Sequence, residues 1–599
     1  TIRKDIIQLL MLKGEHAMLS NLLDQARADK PLWLPELREA FLEDPTARPL
    51  MLRLTLHDGT RRDFPCAIPV WKTEDEKNFA AEFFYACVYN ILAVYSGREL
   101  RLYFDTADEE LCALYNSLDS AFQSHEAKRR GYGKVISIAG RIAASYGGEA
   151  FRFVPDDLSA CVPLAEPKAE TAATPLDEKL RSVGRKVSGL ALCGIDVGGT
   201  DIKLAVSDGE RLVRTKEYDW NPAAYQTAEE IIEPILWLTR LMRISLHGAT
   251  EHGVSIGVEQ AIDAAFKKDA PLEQIRQTVE AAEAVYGADR LLLNGVGLSF
   301  PDIVIGDRIL GGETPKTDGM RRNTALDYER EFKKLSGLKD ALQGLCKPGG
   351  RVRITNDGNM AAFTAAMELA HSGDAAALKD GVIAHSLGTD LGTGWLTAEG
   401  TIPALPLELY DLVLDLGSYP SRAYPPADLR STRNENSGLP GARRYMGQAA
   451  AYRLAQKRSP ALLDGFMTRD GDRLTIAMEP QDLRKPCLEH LMYCAEEGDD
   501  AARDIFRDIG ENLSVVTWEM DYLLHPAART RFLFGRFIKR PKVFRLLDEG
   551  FRRGSEGVQL IPSDENLANT PLMRALAQSP DATVAQFGQA VGAVYFALT

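Results

Sequence analysis

Two glycine turns constrain this chain more than any other feature. LCGIDVGGTDIKLAVSDGERLV places apolar residues at alternate positions on both sides of Gly198-Gly199, with Ile195 and Val197 before the turn and Ile202, Leu204 and Val206 after it. A period of two flanking Gly-Gly predicts a β-hairpin. Asp196 stands just before the turn, Thr200 just after it and Lys203 a little further on, so the tip gathers free backbone N–H groups, a hydroxyl and opposite charges. Such a tip suits a phosphate, with the Asp196 carboxylate left to hold Mg²⁺ through water. A plain surface turn would need none of these neighbours. GxxxxGK[ST] is absent and no GxGxxG follows the strand, which excludes a P-loop and a dinucleotide fingerprint. VIAHSLGTDLGTGWLTAEG repeats strand, glycine turn and strand around Gly388-Thr389.

Strands rich in Val, Ile and Leu alternate with Ala-rich helices from Leu190 onward, the pattern of an α/β architecture. Helices are expected over 223–246 and 258–288, and the stretch 440–553 reads as mostly helical. Before it, 156–189 loses any apolar period to Pro, Ala, Thr, Glu and Lys and reads as a linker. Residues 1–155 read as an α+β domain with short helices, a hairpin around Asp58-Gly59, a helix over Phe79 to Tyr95 and the strand RELRLYFD. No catalytic motif lies in it, so the expectation is a domain that folds separately and is dispensable for the chemistry.

Charge and cysteine usage remove other classes. The chain has 599 residues, with 71 Lys plus Arg against 85 Asp plus Glu, and this net charge of -14 repels a nucleic-acid backbone. No apolar run approaches the ~20 residues that span a bilayer, and the first residues are broken by charge too early for a signal peptide, so a cytoplasmic protein with no membrane partner is expected. The eight cysteines form no CxxC pair and no HExxH occurs, so no protein-built zinc site is expected.

Asp196-Val197-Gly198-Gly199-Thr200-Asp201-Ile202-Lys203 resembles DxGGTxxK, the first phosphate motif of actin-like sugar kinases, and most closely that of the ROK family (repressors, open reading frames and kinases). Further motifs follow in the family's order. Gly295 to Pro301 looks like the GxGxPG strand end, with Phe300 before the proline and Asp302 where the family has Gly. VRITNDGNMAAFTAAMELA is similar to the NDANAAALAE segment, which puts Asp357 at the general base and Asn356 beside it to orient the substrate alcohol. Both residues are also common helix N-caps, and that reading stays open. Gly388, Thr389, Gly392 and Gly394 match the second phosphate motif, LGTGxGGG, while Asp390 and Thr393 replace glycines. A carboxylate at 390 would repel ATP unless it faces Mg²⁺ or solvent. LPLELYDLVLDL sits at the family's AGEIGHMVVD, with Glu408 on the glutamate that grips sugar hydroxyls and Asp411 on the histidine. The cysteine-rich zinc loop that follows that histidine in the family is missing, so the sugar pocket must differ. Gly535 is what remains of the glycine cluster that carries adenosine, and FGQAVGAVYFAL is similar to the closing helix.

The resemblance implies an actin-like two-lobed ATPase (ribonuclease H-like) α/β fold preceded by a separate α+β domain. The first lobe would be 190–356 plus the closing helix at about 585–599, and the second 357–584 with helical insertions. It implies ATP-dependent phosphorylation of a sugar or sugar-derivative hydroxyl. Mg²⁺ would sit at Asp196 through water, and the phosphates and nucleotide at Gly198, Gly199, Thr200, Lys203, Gly388, Thr389, Gly392 and Gly535. Asp357 would be the base, and Asn356, Glu408 and Asp411 would bind the sugar, with a homodimer left open. Two other readings stand beside it: a non-catalytic ROK-like sugar sensor, and an actin-like ATPase of another substrate class. DNA binding is discounted, because LPELREAFLEDP is acidic where a groove-reading helix needs Arg, Lys, Asn or Gln. Trp71, Trp220 and Trp395 are expected in packed core.

Overall fold

The computed structural model describes residues 18–126, 128–164, 174–248, 256–373, 375–388, 390–563 and 568–599. In the first region, β1 (Arg48–Thr55) and β2 (Arg61–Ile68) pair antiparallel across the Asp58-Gly59 turn. Gly59 takes φ +88°, and the Asp58 carboxylate accepts from the Thr60 N–H at 2.8 Å, which fixes the turn locally. β3 (Glu99–Phe104) joins β1 antiparallel and β4 (Arg152–Asp157) joins β3 parallel, giving the order β2-β1-β3-β4. The helix Glu74–Tyr95 starts in the charged run after Trp71, where Thr73 and Glu76 close a capping box.

The two glycine turns each open a sheet, and the two sheets share one plan. β5 (Ala191–Val197) and β6 (Asp201–Asp208) form the first hairpin, and β7 (Arg211–Asp219) extends it antiparallel. β8 (Leu293–Phe300) then lies parallel to β5. A short ribbon follows, β9 (Val304–Ile305) with β10 (Arg308–Ile309), and β11 (Cys346–Asn356) completes the sheet parallel to β8. The order is β11-β8-β5-β6-β7. In the second sheet β12 (Val382–Leu387) and β13 (Leu391–Leu396) form the hairpin. After a ribbon of β14 (Met467–Asp470) and β15 (Arg473–Ile476), β16 (Thr530–Gly535) runs parallel to β12 and β17 (Gln559–Pro562) parallel to β16. Its order, β13-β12-β16-β17, repeats the first sheet without a counterpart of the edge strand β7. A leading antiparallel hairpin followed by parallel strands on its other side thus occurs twice, in an α/β fold as expected.

The closing helix Val584–Phe596 packs on the first sheet, where a Cβ on Gly194 or Gly297 would run into its backbone. The long helix expected over 258–288 is two, Ile256–Ala265 and Leu272–Tyr286, because Pro271 cannot continue a helix and starts the second one.

The first region differs from expectation. It is not a separate domain: one continuous core joins its Leu52, Phe83 and Ile91 to Leu412, Val516 and Leu547 of the second lobe. Buried polar groups stitch the same seam. Asn90 donates to the Val413 carbonyl and to Glu519, each at 2.9 Å, and accepts from the Val413 N–H. The Arg38 guanidinium pairs with Glu519, and the Tyr95 hydroxyl donates to the Leu523 carbonyl at 2.7 Å. The helix Glu74–Tyr95 is apolar nearly all round, and such a helix must be covered on every side. The expected linker is also part of the fold in its described portion. The helix Leu176–Arg185 buries Leu176, Leu180 and Val183 against Met360 and Ala366, and Arg181 caps the Ala370 carbonyl at 2.8 Å.

Candidate functional site

Between the two sheets lies a cleft of about 230 Å³. Its walls bring together Asn356, Asp357, Gly388, Gly392 and Glu408, which the sequence had placed in one site, and Asp390, which it had flagged. Close packing of backbone explains why. The helix Asp357–Ser372 starts at the end of β11, and Gly358 and Gly394 let its first turn lie directly on β13. A Cβ on either glycine would run into the other strand or helix backbone. Asp357 is thereby carried to the second hairpin.

Asn356 is the N-cap: its side-chain oxygen accepts from the Gly358 N–H at 2.8 Å and its amide donates to the Asp302 carbonyl at 3.0 Å. The capping role is real, and one amide hydrogen is left for a ligand. Asp357 accepts from the same Gly358 N–H at 2.9 Å through one oxygen.

At the first hairpin, the Gly198 N–H closes the turn on the Asp201 carbonyl at 2.7 Å. Trp220 braces the tip from beneath, donating its indole N–H to the Gly198 carbonyl at 3.1 Å, a packed role as expected. Asp196 faces Lys203 and Ser299 across β5's two neighbours. Burial pushes its carboxyl up to about 6, opposed by the Lys203 charge and the Ser299 hydroxyl and reinforced by Asp357 and Asp201. Asp357 is thus among the charges that bear on Asp196, although Asp196, Gly198, Gly199, Thr200 and Lys203 are not among the residues lining the cleft. Lys203 is itself paired with Asp201, and Thr200 donates to Asp201 at 3.2 Å, so these two shape the tip more than they present free groups.

At the second hairpin, the Gly388 N–H donates to the Asp390 carbonyl at 3.1 Å and the surroundings of Gly388 are open. Thr389 lies outside the described residues. Asp390 is paired with the Arg443 guanidinium. Burial raises its pKa, with Arg443 and Lys316 opposing, so its charge is balanced within the protein and not aimed unpaired at a phosphate. Gly535 takes φ +106° against the Leu387 backbone, at the seam of β12 and β16, and is not among the residues lining the cleft.

Several site residues carried no motif. Lys316 lines the cleft beside both hairpins: a Cβ at Gly199 would sit 3.5 Å from its Cε, and its charge lowers the pKa of Asp302 and Asp390. Among the described residues no hydrogen bond or ion pair engages its ammonium. Asp302, the departure from the family's glycine, is buried and accepts from the Ile303 N–H at 2.7 Å and the Gly312 N–H at 3.0 Å. Burial nevertheless pushes it up to about 6, those two N–H groups opposing. Lys134, from the first region, is 1% exposed and meets Glu408 at 3.2 Å, the Tyr410 hydroxyl at 3.2 Å, and Asp411. Asp411 is buried behind the wall and does not line the cleft. It accepts from Asn434 at 2.6 Å and from the Tyr89 hydroxyl at 3.5 Å. Burial pushes Glu408 up to about 7, opposed by Lys134 and reinforced by Asp411.

The cleft is built for a polar ligand. Thr314 Oγ1, Asn436 Nδ2 and Gln589 Oε1 are buried without partners in its walls. Unpaired buried polar atoms cost about 1–3 kcal/mol each, which a bound ligand would recover. The Lys316 ammonium and the open Gly388 turn add a cation and accessible backbone to the same walls, which suits an anionic, hydroxyl-bearing ligand. Among the described residues no cluster of three or more His, Cys, Asp or Glu is arranged to hold a metal ion, and no helix is long and apolar enough to cross a membrane.

No family model and no curated protein matches the chain. Solved structures to which it is similar include a ROK family glucokinase from Streptomyces griseus in complex with glucose and AMPPNP, at 18% identity over 68% of this chain and 98% of that one, with a TM-score of 0.37. They also include ROK hexokinase from Thermus thermophilus, at 16% identity over 65% and 97% with a TM-score of 0.35. A third is glucokinase from Balamuthia mandrillaris in complex with glucose, at 11% identity over 66% and 98% with a TM-score of 0.37.

Proposed function

We propose that this chain transfers a phosphoryl group from Mg-ATP to a hydroxyl of a sugar or sugar derivative. The observation that carries the reading is the convergence of the second glycine hairpin, the Asp357 helix start and Glu408 on one cleft between two sheets of the same plan, with the first hairpin tip reaching it at Lys316. ATP would supply the phosphoryl group, and Mg²⁺ held through water at Asp196 would offset its charge.

Asp357 takes the proton of the attacking hydroxyl. Its place at the first position of a helix suits a carboxylate, because the unpaired N–H groups there favour negative charge. Asn356 uses its remaining amide hydrogen to orient the same alcohol, and its bond to the Asp302 carbonyl fixes the amide plane. Glu408 accepts hydrogen bonds from other hydroxyls of the acceptor. Gly199 offers its backbone N–H to the phosphates, Gly198 and Gly388, whose N–H groups close their own turns, give the phosphates room to approach the backbone, Lys316 adds a cation between the tips, and the Arg443 partner of Asp390 removes the repulsion that position would otherwise cause. Approach of the two lobes excludes the water that competes with the sugar hydroxyl.

The test is to incubate the protein with Mg-ATP and a panel of sugars, following ADP release and product mass. Sugar-dependent ADP release with a product heavier by one phosphoryl group is the expected result. Sugar binding with neither nucleotide binding nor turnover would replace the kinase with the sensor reading.

A further inference from the structure

We propose that the helix Gly133–Ser145 of the first region builds the acceptor half of the site, with Lys134 as the positioning residue that holds Glu408 at the cleft wall. The inference deepens the kinase reading and rests on it. Glu408 and Tyr410 line the cleft, whereas Lys134 and Asp411 stand behind them. An ammonium has three hydrogens, and Lys134 directs them to Glu408, Tyr410 and Asp411, three residues of one short segment. Asp411 is held in turn by Asn434 and Tyr89, so the ammonium is fixed from its far side. Burial disfavours the ammonium, but Asp411, Glu408 and Tyr89 hold its pKa above the usual lysine value. It is a permanent cation in contact with two carboxylates.

The same helix holds the opposite wall. Arg141 lies two turns beyond Lys134 on the same face. It donates to the Gly311 carbonyl, to Glu313 at 2.6 Å and to Glu329 at 2.9 Å. Glu313 directly precedes Thr314, Pro315 and Lys316, which line the cleft. On the same helix, Ile138 and Ile142 pack on Ile303, Ile305 and Leu310 of the first lobe. One rigid helix thus anchors a cleft-lining segment of each lobe. The width of the acceptor pocket and the direction of its carboxylate are set by residues that carry no phosphate motif.

The groups that act most on Glu408 are Lys134, Asp411, Tyr410 and Asp302, with Lys134 as the cation in contact with it; Lys316 lines the same cleft, where its charge acts on Asp302 and Asp390. Without Lys134, Glu408 and Asp411 adjoin uncompensated, the Glu408 carboxyl rises further above about 7, and a larger fraction of it is protonated at neutral pH. A protonated Glu408 accepts fewer hydrogen bonds from the acceptor. Lys134→Met should therefore raise the acceptor KM about tenfold or more, with the ATP KM unchanged within about twofold, and move the acid limb of acceptor kcat/KM to higher pH. Lys134→Arg, which keeps the charge, should restore the limb and part of the KM. If Lys134→Met does not fold, the double variant Lys134→Met with Asp411→Asn removes one charge of each sign and should fold with the acceptor KM still raised. A folded Lys134→Met with unchanged acceptor KM and pH limb overturns the inference, as does an ATP KM that rises as much as the acceptor's. Calorimetry with the same sugars separates the two claims. A wild-type protein that binds a sugar without turning it over, and loses that binding in Lys134→Met, removes the kinase reading and keeps this one. Wild type that binds no sugar of the panel overturns both.

Discussion

Replacing Asp357 by Asn separates catalysis from capping, because the structure gives each role its own atoms. Asp357 makes one hydrogen bond, from the Gly358 N–H at 2.9 Å, and the Asn side-chain oxygen can accept that bond unchanged. Asn and Asp are also near-equal at helix starts, so the stability change should stay under about 1 kcal/mol. Removing the only carboxylate on the helix start that can take the substrate proton costs ~10² to 10⁴ in rate, or roughly 2.7–5.5 kcal/mol in the barrier. Asn356→Ala differs in losing stability together with the amide that orients the alcohol. It loses the cap to Gly358 and the bond to the Asp302 carbonyl, about 1–3 kcal/mol of stability together, while the base remains. The assay is urea unfolding beside sugar-dependent ADP release for both variants. Asp357→Asn with full turnover on the true substrate refutes the base assignment, and Asp357→Asn that unfolds in proportion to its lost rate shows that capping was its whole contribution.

Expression of 190–599 alone should yield an insoluble or molten product, since it strips the cover from Leu412, Val516 and Leu547; a soluble, cooperatively unfolding fragment would show that the shared core is not required. Gly394→Ala should cost about 1–3 kcal/mol by forcing β13 from the Gly358 backbone, and should lower turnover more than it lowers stability at 25 °C, read by comparing urea midpoints with rates. Asp302 has its carboxyl raised from the ordinary 3.8 to about 6, so the folded state holds that proton where the unfolded chain has released it. Its contribution is therefore present below about pH 4 and lost as pH rises through 6, and Asp302→Asn should flatten this part of the stability–pH curve measured without ligand. Arg443→Met leaves Asp390 unpaired and should weaken ATP binding several-fold; calorimetry showing equal ATP affinity would mean that Asp390 does not face the phosphates.

The parts of the fold that were legible in the sequence are those encoded over a few residues. Period two around Gly198-Gly199 and around Gly388 specifies a hairpin without reference to the rest of the chain, and both hairpins are present. Asn356 and Asp357 sit at a strand-to-helix junction because the change from alternation to an Ala-rich run is equally local. Asp390 looked hostile to a phosphate because its partner, Arg443, lies in a separate turn that no spacing rule connects to it. Gly535 was read as a ligand contact by position in a motif, yet its positive φ and the nearness of the Leu387 backbone already require glycine there.

The first region was misjudged for a related reason. An autonomous domain is inferred when a segment has its own apolar pattern and a polar seam after it, and both conditions hold here. Neither condition reports how much of a surface is left uncovered. The helix Glu74–Tyr95 buries residues around most of its circumference, and a four-stranded sheet covers only one side. The remainder had to meet something, and the second lobe supplies it. Once that interface forms, the helix Gly133–Ser145 is placed between the lobes, where its lysine holds a cleft-lining glutamate without belonging to any motif. Lys134 and Glu408 are far apart in the chain and each is unremarkable in its own neighbourhood, so their pairing could emerge only from the packing.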